Sequence, residues 1–264
     1  MRLGYYARLF GVQARASLTT AMQYRADFLV QGLTSLYWLG WNLVPLLVLY
    51  DDRTTVAGWS FGAALVVMAH FVIVRGILEG AINPSLGAVV EQIRSGAFDY
   101  TLLRPADAQF LVSTARFAPW RVLDVLGGVG LLIYAFVRLG QAPSPAQLGA
   151  GLVLLGAGLA VMYGLWIMIV ATAFWVVRMD NLIYLLSSVF DAARWPASVF
   201  RGVWKVVFTF VIPLALMTTF PARALLGTVT WQAGIGCLVG ALLVSVAARL
   251  VWRLALRSYT SASS

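Results

Sequence analysis

Two groups of residues in this 264-residue chain have the types and spacing for chemistry. The first, Gly58-Trp59-Ser60-Phe61-Gly62, fits the Gly-x-Ser-x-Gly frame of hydrolase nucleophiles. Such a serine needs a base within hydrogen-bond reach. The only histidine, His70, lies ten residues on in the same apolar run, about 15 Å away on a helix. No catalytic residue is expected, and His70, without a spaced partner, reads as a packed group rather than a metal ligand. The second group is charge set among apolar residues. Arg75 and Glu79 are four apart and Arg121 and Asp124 three apart, each pair spaced to meet on a helix face. The four form a candidate intramembrane cluster, either functional or a salt-bridged clamp. Asp191 and Arg194 have the same pairing distance.

The elements that position these groups follow from composition. The chain is 61% hydrophobic and 11% charged, under half the usual globular share of about 25%. Several apolar runs reach the roughly 20 residues that a bilayer crossing needs. This predicts an all-α integral membrane protein and excludes a soluble core. Net charge is +9, from nineteen basic residues of which only Lys205 is lysine. The cations cluster near the ends of apolar runs, as the positive-inside rule places them, so no nucleic-acid partner is expected. Cys237 stands alone in an apolar run and makes no internal disulfide. No cleavable signal peptide is seen, because the first apolar run is long enough to stay as an anchor.

Residues 1–26 read as an amphipathic interfacial helix, with Leu3, Tyr6, Phe10, Ala14 and Ala21 on one stripe and Arg8 and Arg15 turned to membrane lipid. Spans are expected at about 27–50, 59–82, 119–139, 146–177, 182–200 and 232–252. A polar turn, Arg178-Met179-Asp180-Asn181, stands between the fourth and fifth. Counting 203–227 as a further crossing would throw Arg253 and Arg257 outside. It is therefore expected as an outer re-entrant hairpin with bends at Pro213 and Pro221, and both termini are expected in the cytoplasm. Glycines such as Gly151, Gly158 and Gly164 suit close helix packing. Tyr37, Trp38, Trp41 and Asn42 in the first span suit a translocation path or a lipid-facing surface equally well.

The stretch 83–105 is a polar island between the second and third spans. Asn83 is placed to cap a short helix, Pro84 suits its first position and Gly96 its end. Leu86, Val89, Val90 and Ile93 form one apolar stripe. On the residues alone, this helix either presents itself to a partner or rests on the bilayer.

Ile93-Arg94-Ser95-Gly96-Ala97-Phe98-Asp99-Tyr100 followed by Leu102-Leu103-Arg104-Pro105 resembles a motif of ABC-2 type transporter permeases, in a subfamily formerly of unknown function. Arg194-Trp195-Pro196, Phe210-Val211-Ile212-Pro213 and Phe220-Pro221-Ala222-Arg223 resemble the later half of the same subfamily. The resemblance covers essentially the whole of 1–264 and implies a single permease domain in the bacterial cytoplasmic membrane, pairing with a second permease, identical or paralogous. It implies that 83–105 is a coupling region docking a separate dimeric ABC ATPase, with Leu86, Val90, Glu91, Arg94, Gly96, Asp99, Arg104 and Pro105 at or beside the contact. A phosphate-binding loop needs Gly-x-x-x-x-Gly-Lys-Ser/Thr, and Lys205 stands in Val203-Trp204-Lys205-Val206. No cofactor is therefore expected in this chain, with ATP and Mg in the partner ATPase. A membrane scaffold that anchors an ATPase or envelope machine without transporting is the alternative.

Overall fold

The computed structural model describes residues 2–23, 25–175, 186–208 and 213–259. The chain opens with helices α1 (Arg2–Gln23) and α2 (Arg25–Leu49). A two-strand hairpin follows, β1 (Thr55–Val56) on β2 (Trp59–Ser60), turned at Ala57 and Gly58, both at positive φ. Helix α3 (Phe61–Ile77), a π-helical turn (Leu78–Ile82) and α4 (Asn83–Arg94) then run on as one rod. Short helices α5 (Asp99–Leu102) and α6 (Ala108–Ser113) lead into the long α7 (Val122–Leu139) and α8 (Pro145–Ala171). After 3₁₀ turns at Asp191–Arg194 and Ala197–Val199 come α9 (Val203–Val206), a second π turn (Ala215–Thr219), α10 (Phe220–Leu225) and α11 (Trp231–Arg257).

Five segments among the described residues are long and apolar enough to cross a membrane: Ala26–Leu49, Phe61–Arg94, Pro119–Leu139, Pro145–Phe174 and Trp231–Arg257. They match five of the six expected spans. Of the other, 182–200, the described part is α-helical over 186–190 and then passes into 3₁₀ turns around Trp195 and Pro196. Residues 182–185, the turn Arg178–Asn181 and the motif residues Phe210, Val211 and Ile212 lie outside the described residues.

The rod is the centre of the bundle. Of its most apolar stretch 78% is buried, against 22% for α2 and 17% for α11. Its sequence from Ala64 to Val74 is apolar all round apart from His70, the pattern of a helix surrounded by protein. Glycines let α7 approach it closely. A Cβ on Gly128 would stand 2.6 Å from Ile73 Cγ1 and 3.0 Å from its backbone nitrogen, and one on Gly76 would press on Asp124 and Val125. On the other side, Gly158 of α8 lies against the backbone of the second π turn and Gly164 against Val244 of α11. The outer faces of α2 and α11, with Leu29, Leu33, Leu242 and Leu243 exposed, remain apolar as a lipid or partner surface requires.

Candidate functional site

Asn83 does not cap a helix, as its sequence position suggested; Ile82 holds the cap position in helical geometry, without a side-chain cap. The reason is that α3 never stops. Pro84 has no N–H to give the Gly80 carbonyl one turn back, and that carbonyl instead accepts the Ala118 N–H at 2.8 Å. The π turn, whose last bond runs from the Asn83 N–H to the Leu78 carbonyl, absorbs the mismatch. Freed from capping, the Asn83 amide donates to Glu79 at 2.9 Å and accepts from the Trp166 indole of α8. Ser85, fully buried, donates to the Arg116 carbonyl and accepts the Arg116 N–H.

These bonds fix one face of α4. Leu86 and Val90 are 1% and 3% exposed, so they hold the helix to the bundle and are not available for partner contact. Glu91, Arg94, Arg104 and Pro105 are exposed, while Gly96 and Asp99 are half-buried. Gly96 ends the helix at φ +73, in the left-handed region. Phe98 then turns inward to full burial, edge-on to Phe174 (5.2 Å between centroids), Tyr259 (5.4 Å) and Trp252 (6.4 Å). Beyond it Tyr100 and Leu103 stand 73% and 80% exposed. The turn is thus plugged into the ends of α8 and α11 while its tip faces outward.

A second fastening was not legible in the sequence. Asp107 caps α6 by accepting the Phe110 N–H, and its carboxylate takes two N–H groups of Arg249, 142 residues away on α11. That guanidinium holds the Asp107 carboxyl below its ordinary range, against the opposing pull of partial burial. Arg249 also reaches Gln109, whose amide bonds the Tyr163 hydroxyl. Helix α1 packs on the same segment through Tyr6 on Asp107 N–H, Gln13 on Thr114 and Ser17 on Phe117. The N-terminal helix therefore has a protein-facing side as well as its exposed side with Arg8 and Arg15.

The charged residues gather differently from their spacing. Arg75 pairs with Asp191 at 3.2 Å, not with Glu79, which is bonded to Asn83. Glu79 is the second residue of the π turn, and its carboxylate is taken by the Asn83 amide instead. Arg121 and Asp124 meet at 3.0 Å, and Arg194 reaches Asp191 through both its carbonyl (2.8 Å) and its carboxylate (3.7 Å). Arg75 and Arg194 both lie over the Phe71 ring, at 5.8 and 5.7 Å. The cluster is thus Arg75, Arg121, Asp124, Asp191 and Arg194, without Glu79. It lines a cavity of about 370 Å³ together with Ser35, Trp38, Trp41 and Asn42 of α2. Two sets of residues that the sequence kept separate therefore share one space. Tyr37 stands outside it, stacked on Trp41.

The opposite end of the rod is closed. Ser60 caps α3 by accepting the Ala63 N–H, and the His70 ring lies 2.8 Å from the Val66 carbonyl. The Trp59 indole donates to Ser198, and Arg223 covers the Trp59 ring at 5.6 Å. Pro221 opens α10 inside the core and Pro213 is half-buried ahead of it.

No curated protein and no solved structure matches the chain. A family model described as ABC-2 family transporter protein matches residues 36–263. With five long apolar helices among the described residues, one of them the buried rod, the chain is a multi-pass membrane protein, and it belongs to the ABC-2 transporter family.

Proposed function

We propose that the chain is the permease subunit of an ATP-driven exporter in a bacterial cytoplasmic membrane, with both termini inside. Two permeases enclose the path and a separate ATPase dimer drives them. One observation carries this reading: the most buried helix of the bundle continues without a break into an exposed end. A push delivered at Glu91 or Arg94 enters the core along a single rod. The buried stripe of Leu86, Val89 and Val90 supports transmission, because the helix cannot swing away from the bundle without exposing it. At the far end, 203–227 serves as the outer gate, held near Trp59 by Arg223. The ATP and Mg chemistry is assigned to the partner.

The test is reconstitution with an ABC ATPase that co-purifies with the chain. Glu91→Arg is expected to leave membrane insertion and thermal stability unchanged while abolishing the transport-linked stimulation of ATP hydrolysis. If no ATPase binds the wild-type chain, the reading fails.

A further inference from the structure

The cavity beside α2 has a charge balance that the described residues lining it do not complete. Among the described residues that line it, three guanidiniums (Arg75, Arg121, Arg194) face two carboxylates (Asp124, Asp191), which leaves one positive charge in excess. Asp191 is shared by two of the arginines, and Asp124 serves the third. A guanidinium offers five N–H donors in a fork that suits phosphate and carboxylate oxygens. The bonds just described use one or two on each arginine. An uncompensated charge among apolar helices favours a counter-anion beside it. A single monoanion in the cavity removes the excess.

The walls say what kind of anion. About 370 Å³ lies within the range of roughly 300–1,000 Å³ that small-molecule sites occupy. The polar groups of Ser35 and Asn42, both buried, come from a helix whose other faces are apolar and exposed. Trp38 and Trp41 line the same cavity yet are 52% and 56% exposed, so it opens beside α2 onto the apolar outer surface of the bundle. A charged floor that opens onto an aromatic, lipid-like wall fits a molecule with both features.

We propose that this cavity binds the monoanionic headgroup of an amphiphile, a phosphodiester lipid or its like. Arg75, Arg194 and Arg121 hold the anion, and the chains lie along Trp38 and Trp41. Calling that amphiphile the cargo rests on the permease reading above; its binding does not.

The purified chain, without any ATPase, is titrated in neutral detergent with phosphatidylglycerol or phosphatidylcholine, and bound lipid is counted by native mass spectrometry. Phosphatidylglycerol is expected to bind about tenfold more tightly, the size of one charge-assisted hydrogen bond. Arg194→Gln, which neutralises the cavity, brings the two lipids to parity. Asp191→Asn, which doubles the excess charge, keeps or widens the preference, and Arg138→Gln on the remote end of α7 leaves it unchanged. Equal binding of both lipids to the wild type overturns the proposal. So does a preference that survives Arg194→Gln, and so does its loss in Asp191→Asn, which would mark a general effect on folding. Displacement of phosphatidylglycerol by millimolar inorganic phosphate identifies a free-anion site and overturns the amphiphile. Because no ATPase is present, failure here leaves the Glu91 test standing, and failure there leaves this one standing.

Discussion

Two fully described π turns share one irregularity, and they are used differently. In each, a five-residue π turn is followed two residues later by a proline: Leu78–Ile82 before Pro84, and Ala215–Thr219 before Pro221. The first turn passes into the 12-residue α4 and reaches the surface. The second passes into the six-residue α10, stops at Gly227 (φ +69) and stays buried. Both are fixed from outside their own helix. At the first the fixing is by hydrogen bonds, Ala118 to Gly80, Trp166 to Asn83 and Arg116 to Ser85. At the second, Thr218 donates to the Ala193 carbonyl and Thr219 accepts the Ala197 N–H, but the closest approach is steric, backbone against Gly158. The contrast teaches that a π turn before a proline is neutral about motion, and its surroundings decide whether it leads outward or closes the core.

The largest test of that contrast is Gly158→Val. Its Cβ would lie 2.9 Å from the Leu216 carbonyl oxygen and Met217 Cα, and backbone cannot rotate aside. Overpacking of this kind costs about 3 kcal/mol or more. A sharp fall in monodisperse protein and in Tm is expected, and an unchanged Tm would remove the steric account of the second turn. Next comes Asn83→Ala at the first turn, which strips partners from Trp166 Nε1 and Glu79 and costs about 1–3 kcal/mol. Thermal unfolding in detergent should show it, and adding Trp166→Phe should then cost little more.

A smaller effect is expected at Asp107. Its carboxyl titrates below the usual carboxylate range because Arg249 favours the charged form. The stabilisation is thus full above the unfolded-state pKa of about 4 and fades as pH falls through the depressed folded value. With both side chains about a third exposed, screening limits it to about 1 kcal/mol or less. Asp107→Asn should flatten the acid limb of a Tm-against-pH curve and leave the neutral region slightly lowered. The smallest effect belongs to Leu103→Ser, 80% exposed, which should change stability by about 0.5 kcal/mol at most yet weaken capture of the ATPase in a pull-down.

Much of the fold was legible because hydropathy and helical period are local properties. Five apolar runs, the stripe of Leu86 to Ile93 and the break at Gly96 could be read off neighbouring residues. Asn83 could not: capping residues look alike whether the chain stops or continues, and the Ala118 N–H, remote in sequence from the Gly80 carbonyl it meets, lets the helix run through Pro84. The partner of Arg75 was hidden for a related reason: Asp191 is remote in sequence, and Glu79, inside the π turn, bonds Asn83 instead. Asp191 and Arg194 were visible as a pair but not as neighbours of Arg75, and nothing local joins Asp107 to Arg249. In the coupling stretch, spacing identified the apolar face and the resemblance supplied a role. Which residues were free to meet a partner needed the packing, which removed Leu86 and Val90 and brought forward Tyr100 and Leu103.

The bond from Ala118 to Gly80 also sets the number of independently moving parts. Rotating α4 about the π turn while 118–121 stays still would strand a carbonyl and pull Asn83 from Trp166. A buried group left without its partner costs about 1–3 kcal/mol. Gly76, Gly80 and Gly128 lock the same two helices at van der Waals distance. Residues 61–94 and 118–139 are therefore one rigid body with one set of coordinates. Among the described residues, relative movement is therefore left to that body's borders with α2, α8 and the second π turn, and the cavity between α2 and α7 lies on the first of them.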